Sequence, residues 1–423
     1  MKTEPAARVG QPPPIGVNTH PGAGSLQSFP AGSPATGPGG TRPVLIVGPV
    51  PPPYHGGAVF NESLLRALNG RVGARPVLHL DTTDRRTLAN LGRLDVTNAV
   101  LALRHAARLA WLLARHRPAV VYLPVSRNEW AFLRDALLIA LARLGGARVV
   151  THLHGSDLGA FYRQATPAWR WLVRRATRAV SAAAVLSPRL RDNYDGLLPP
   201  ERVFVAPVGV DDLFPGGAPE RGARPAAPVT VAYLGTLAAE KGVLEVLQAV
   251  ARLRGEGAPL ALRLAGEWSE PAEGERARAF VAERGLGEVV RFEGSVSGNA
   301  KRSFLEEADV LVFPSVQREG LPLVVLEAMS AALPVVATST GAVADAVLDG
   351  ETGWVVPVRD TGALAGALRR LMAAPAERLR LGKAGRQRFE AHFTSARAAA
   401  GVAELLEDAC GERGQAITGR RRG

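Results

Sequence analysis

A chain of 423 residues, 47% of them hydrophobic, is long enough for two domains with sizeable cores. Its single cysteine, Cys410, excludes an internal disulfide and any all-cysteine metal site, and reads as a helix residue without chemistry. The formal net charge of +12 is concentrated in the first folded half, where residues 100–200 carry fifteen Arg against five Asp or Glu. A basic surface of this kind serves nucleic acid, anionic lipid or an anionic substrate, and charge alone does not choose among them.

Residues 1–41 are rich in Pro, Gly, Ala and Ser without apolar periodicity and are predicted to be disordered. No apolar run follows Lys2 and Arg8, so no secretory signal is expected. No stretch reaches the ~20 apolar residues that span a bilayer, and a cytoplasmic protein is expected, at most lying on the inner face of the membrane. Val44-Leu45-Ile46-Val47, stopped by Gly48-Pro49, reads as a buried parallel strand, with a helix over 58–69. Apolar runs at 119–123, 148–152 and 182–186 continue the series, with helical segments between them. Pro and Gly break the pattern over 211–228, and 215–228 reads as a linker. A second series starts at 229–233, with strands expected at 261–265, 289–292, 310–313 and 335–338. Helices are expected at 243–253, 275–283, 301–306, 323–330 and 361–372. The fold class is therefore α/β, with two Rossmann-like doubly wound domains at 42–214 and 229–392. Such domains face one another across a cleft that takes ligands at strand C-terminal ends. Residues 393–410 are expected to form a helix packing back on the first domain, and 411–423 a basic tail.

Four segments carry candidate chemistry. Between the strand ending at Pro314 and the helix starting near Leu323, Glu319 sits on a loop. Glu327 sits inside the helix between Leu326 and Ala328, where a carboxylate must be paired or hydrogen-bonded. Amides around Gly320, Leu321, Pro322 and Leu323 are free at the helix start to face an oxygen-rich ligand, Pro322 offering none of its own. In Gly235-Thr236-x4-Lys241-Gly242, a lysine stands at a helix start, where it can neutralise a diphosphate, in a chain that otherwise uses Arg heavily. A third strand leads into His152-Leu153-His154-Gly155. After the first strand, Gly56-Gly57 permits close approach of the backbone to a ligand.

Pro-Ser-x3-Glu319-Gly-Leu-Pro-x4-Glu327-Ala-Met, continued by Leu333-Pro334-Val335-Val336-Ala337-Thr338 and Asp349-Gly350-x-Thr352-Gly353, resembles the donor-binding region of glycosyltransferase family 4. The resemblance covers nearly all of 42–410 and implies the GT-B fold, here meaning two Rossmann-like domains with the nucleotide-sugar site in the second. It implies a retaining glycosyltransferase that moves a sugar from a UDP- or GDP-linked donor to a glycan or lipid-linked acceptor. The setting implied is bacterial polysaccharide or glycoconjugate biosynthesis, and the Arg- and Ala-rich composition suits a high-GC bacterium. Carried over residue by residue, Glu327 binds the donor ribose and Glu319 contacts the transferred sugar, aided by Gly320 to Leu323. Lys241 holds the diphosphate, His154 positions the sugar near the reacting carbon, and His152 is structural. Gly56 and Gly57 face the acceptor and the leaving phosphate. Gly235, Gly266, Glu267 and Val296 line the donor site, the last three towards the base. Where the family usually has Arg beside the diphosphate, this chain has Thr236. Pro207-Val208-Gly209-Val210-Asp211 likewise carries Val208 in place of an Asn and reads as structural. The resemblance implies no cofactor and no essential metal, and no Asp-x-Asp metal motif is present.

Two basic amphipathic helices, near 101–117 and 167–178, carry Trp111, Trp169 and Trp171 and suit peripheral contact with anionic lipid. No helix-turn-helix, zinc-knuckle or RNA-binding signature is present, so nucleic acid is not an expected partner. Two further readings stay open on sequence: a catalytically silent partner subunit of another glycosyltransferase, and a nucleotide-sugar epimerase.

Overall fold

The computed structural model describes residues 40–53, 56–86, 95–126, 128–219 and 228–411. Most of the expected disordered N-terminus and basic tail, together with Tyr54, His55 and 220–227 of the linker, lies outside these residues.

The first lobe contains β1 (Val44–Gly48), α1 (Gly56–Leu68), β2 (Arg71–Val72), β3 (Arg75–Asp81), α2 (Val96–His116) and β4 (Val120–Val125). It continues with α3 (Glu129–Leu144), β5 (Arg148–Leu153), α4 (Leu158–Gln164), α5 (Pro167–Arg178), β6 (Ala182–Val185) and β7 (Val203–Val205). The sheet order is β2-β3-β1-β4-β5-β6-β7, parallel except where β2 meets β3. All five residues of β1 are buried, which is why it reads as an unbroken apolar run: helices cover both faces of the sheet. Side chains start the long helices, with Asp95 accepting from Asn98 N at α2 and Asn128 from Ala131 N at α3.

The second lobe runs β8 (Val229–Leu234), α6 (Val243–Gly255), β9 (Leu260–Ala265), α7 (Pro271–Glu283), β10 (Val290–Gly294), α8 (Gly298–Glu306) and β11 (Val310–Phe313). Then come α9 (Leu323–Ser330), β12 (Val335–Thr338), α10 (Val343–Ala346), β13 (Gly353–Val356), α11 (Thr361–Ala373), α12 (Pro375–His392) and α13 (Ser395–Cys410). Its sheet is wholly parallel, in the order β10-β9-β8-β11-β12-β13. Strand order reverses between β8 and β11, and in the first sheet between β1 and β4. Such reversals open a crevice at the strand C-terminal ends, where ligands bind.

Helix α13 returns to the first lobe and packs on α1, β4 and β5. Arg148 donates to the Ala409 carbonyl at 3.0 Å. The crossing is pinned beside the linker, where Val210 N donates to Phe393 O and Ser395 N to Val210 O. Arg386 grips both oxygens of Asp212 at 2.6 Å. The lobes also meet across the cleft. Arg318 pairs with Asp192 and Arg189 with Asp345, each at 2.8 Å, the first-lobe partners lying on the 3-10 turn Pro188–Tyr194. Ser156 Oγ donates to the Arg318 carbonyl at 2.6 Å. Among the described residues no helix is long and apolar enough to cross a membrane.

Candidate active site

At the C-terminal end of β11 the chain turns through Pro314–Pro322 before α9 starts. Glu319, inside this turn, is buried, and three donors converge on its Oε1: Lys241 Nζ at 2.7 Å, Ser315 Oγ at 2.6 Å and Gln317 Nε2 at 3.4 Å. Lys241 arrives from a 3-10 turn, Ala239–Lys241, just ahead of α6. The two turns are tied together because the Glu240 carbonyl accepts from Val316 N at 2.9 Å and from Gln317 N at 3.2 Å. Lysine and glutamate therefore meet across the strand reversal between β8 and β11.

Glu327 is the fifth residue of α9, in a run whose neighbours Leu326, Ala328 and Met329 are fully buried. Its partner is Lys301 of α8, whose Nζ donates to Oε1 at 2.8 Å. Oε2 of the same carboxylate is buried and has no hydrogen-bond partner in the protein. Lys301 is the neighbour that sequence reasoning missed; the buried carboxylate demanded a partner, but nothing local named it.

The first lobe closes the other side. A side chain on Gly320 would collide with the His154 carbonyl, so glycine there lets the β11–α9 turn press against the end of β5. Gly56, at the start of α1, faces Leu323 Cδ1 across the cleft, with 3.9 Å between that atom and the position of a Cβ. Gly57 follows it in the first turn of α1. The His154 ring lies 4.5 Å from the ring of His152 and 4.9 Å from that of Phe60. His152 itself is fully enclosed: Tyr122 Oη donates to Nδ1 at 2.6 Å, and Nε2–H donates to the Ala206 carbonyl at 2.9 Å. These partners assign the neutral tautomer. Burial, and then the nearby His154, hold its pKa well below the ordinary histidine value.

The structure thus brings His154, Lys241, Glu319, Gly320 and Leu323 together, with Leu321 buried behind them and Pro322 capping the start of α9. Glu327 is joined to Lys301. Gly235 and Gly266 stack at the ends of β8 and β9, where Gly235 N donates to Ala265 O and Gly266 N to Gly294 O. Thr236 is exposed and accepts at its carbonyl from Tyr233 Oη at 2.9 Å. Glu267 is also exposed, and Val296 is half-buried against the main core. Among the described residues no three His, Cys, Asp or Glu side chains gather as a metal site.

Residues 55–212 match the family model described as Glycosyltransferase Family 4, and residues 219–388 match that of Glycosyl transferases group 1. The chain is 29% identical over 321 residues to a glycogen synthase of Mycobacterium tuberculosis, covering 71% of this chain and 72% of the other. It is 30% identical over 289 residues to an MMP α-(1→4)-mannosyltransferase of Mycolicibacterium hassiacum, covering 64% of this chain and 68% of the other. The fold is similar to that of the Anabaena protein HepE, solved in complex with UDP, with a TM-score of 0.67 at 15% identity, covering 86% of this chain and 99% of the other.

Proposed function

As the chain belongs to the glycosyl transferases group 1 family and is a nucleotide-sugar glycosyltransferase of GT-B fold, we propose that it transfers a sugar from a UDP- or GDP-linked donor, with retention of configuration, to a hydroxyl of a glycan or lipid-linked acceptor. The observation that supports this reading is the pair of buried carboxylates after β11, each with one oxygen on a lysine, set against the first-lobe glycine and histidine loops. In it, Glu327 accepts from the donor ribose and Glu319 from hydroxyls of the transferred sugar. Lys241 and the amides of Gly320, Leu321 and Leu323 stabilise the diphosphate as negative charge builds on it. His154 and Gly56-Gly57 fix the sugar and the incoming hydroxyl, which supplies the orientation part of the rate. The bond from the anomeric carbon to phosphate breaks while the acceptor oxygen bonds to the same face. The leaving phosphate takes the acceptor's proton. Lysine and helix-terminal amides supply the positive charge, so turnover needs no metal in this reading.

Supplying UDP-glucose, UDP-galactose or GDP-mannose and following nucleoside diphosphate release tests this directly. Wild type should release one nucleotide at a rate unaffected by EDTA. Glu319→Ala should lower kcat/KM by about a hundredfold or more. The product, followed by proton NMR, should keep the donor's anomeric configuration; an inverted product contradicts the proposed mechanism.

The acceptor side carries a second observation. Among the described residues, nine of the ten large hydrophobics that stand exposed lie within 96–171. Val96, Val100, Leu103 and Trp111 form an outward stripe on α2, while Trp130, Leu133, Leu137 and Leu144 form one on the adjoining α3. Trp171 is 66% exposed on α5, beside exposed Arg170, Arg174, Arg175 and Arg178. Apolar stripes bordered by arginine suit an anionic bilayer, and α3 starts shortly after β4 ends beside the strand reversal of the first sheet. This supports a lipid-linked acceptor met at the membrane surface. The protein should co-sediment with vesicles containing phosphatidylglycerol and be released by salt, and Trp111→Ser with Trp171→Ser should weaken binding about tenfold or more. Equal binding to neutral phosphatidylcholine vesicles would contradict the electrostatic part.

A further inference from the structure

The chain contains four lysines among 51 basic residues, and two of the four, Lys241 and Lys301, hold the two site carboxylates. Arginine and lysine differ here in geometry more than in charge. A guanidinium presents a planar fork that takes both oxygens of a carboxylate, as Arg386 does with Asp212. An ammonium is a point donor that can sit on one oxygen. Lys301 does so: its Nζ is 2.8 Å from Glu327 Oε1, while Oε2 is buried and has no protein partner. Glu327 is 7% exposed, so this oxygen has lost water without gaining a donor from the protein, which is costly unless a ligand supplies one. At Glu319 all three hydrogen bonds likewise end on Oε1.

We propose that Lys301 is a positioning residue that locks Glu327 through one oxygen and thereby reserves the other for the ribose diol of the donor nucleotide. This rests on the donor-site reading above. Lysine is required because it is monodentate. Arg at 301 would keep the charge and still fail, because its fork would claim the oxygen the ribose needs.

The test is binding of UDP, GDP and their 2′,3′-dideoxy analogues by calorimetry to wild type, Lys301→Arg, Lys301→Gln and Glu327→Ala, with the melting temperature of each variant measured alone. Lys301→Arg should weaken binding of the preferred ribonucleotide about tenfold or more. The dideoxy analogue should bind the wild type more weakly, and its affinity should change less than about twofold in Lys301→Arg, because it lacks the group that Oε2 receives. Lys301→Gln, which removes the charge but leaves a donor, should fall between wild type and Lys301→Arg. The proposal is overturned if Lys301→Arg binds the ribonucleotide like wild type. It is equally overturned if both nucleotides lose the same factor, the mark of a merely structural role. A wild type that binds neither UDP nor GDP would instead remove the donor-site reading, and this inference with it. Loss in Glu327→Ala with none in either Lys301 variant would sink the inference alone.

Discussion

Glu319 draws three donors onto one oxygen, and its backbone is fixed as tightly as its side chain. Its carbonyl accepts from Ala342 N at 3.2 Å, and Gly341, at φ +54°, lies so close that a Cβ would collide with that carbonyl. Alanine at 341 would therefore meet a steric clash and a left-handed backbone together. Gly341→Ala should cost about 2 kcal/mol or more in urea unfolding, and displacement of Glu319 should weaken donor binding as well. A variant as stable as wild type would show that the turn is looser than its contacts imply. The candidate residues legible in the sequence were those sharing one short segment. Glu319, Glu327 and the amides between them belong to a single strand–turn–helix, and Lys241 stands out by being a lysine at a helix start. Lys301 was not legible, because it meets Glu327 across 26 residues from a separate helix. No local period encodes such a contact. Thr236 is exposed, and no sequence feature told that Lys241 would be paired with Glu319.

At the level of elements, β4 and β5 are joined by more than their ladder. Tyr122 of β4 and the carbonyl of Ala206 clamp His152 of β5 from both ring nitrogens, in an interior that excludes water. Burial is the main cause of its lowered pKa, and burial likewise lowers His79 on β3 and His105 on α2. These groups take protons less readily in the folded chain than in the unfolded one, whose histidines charge below about 6.5, so the unfolded state binds more protons in acid. The stability held above that pH is lost as pH falls below it. Melting temperature should drop between pH 7 and pH 5, and the His152 ring should remain neutral by NMR throughout. A flat melting profile, or a His152 resonance titrating near its ordinary value, would contradict the clamp. Buried strands such as β1, β8 and β11 were legible because parallel strands covered on both faces are unbroken apolar runs. The strands not foreseen were β2, β3, β7 and β13. Arg75, Pro76, His79 and Asp81 interrupt β3, β2 and β7 have only two and three residues, too short to show a pattern, and β13 begins at Gly353, which carries no apolar signal. Helix α7 begins at Pro271, ahead of the expected 275, because proline suits a first helical turn and carries no apolar signal.

Across the whole molecule, the two lobes are held by a continuous apolar cluster that runs from β1 and β5 into Leu321 and Val325 around the start of α9. Returning α13 completes the attachment to the first lobe. The exposed pairs Arg318–Asp192 and Arg189–Asp345 add orientation more than strength, since surface ion pairs contribute about 0–1 kcal/mol. This arrangement sets the glycines of α1 and the end of β5 against the turn that carries Glu319. A sequence read one segment at a time gives the two doubly wound domains but not which loops touch. The most direct test is thermal melting of wild type and Lys241→Ala with UDP, GDP and ADP. A nucleotide at a hundred times its dissociation constant stabilises a fold by about 2.7 kcal/mol, which melting resolves. UDP or GDP should raise the wild-type melting temperature, and Lys241→Ala should lose most of that rise. If none of the three shifts wild type, or if Lys241→Ala keeps the full shift, the donor site is not where Lys241 and Glu319 place it.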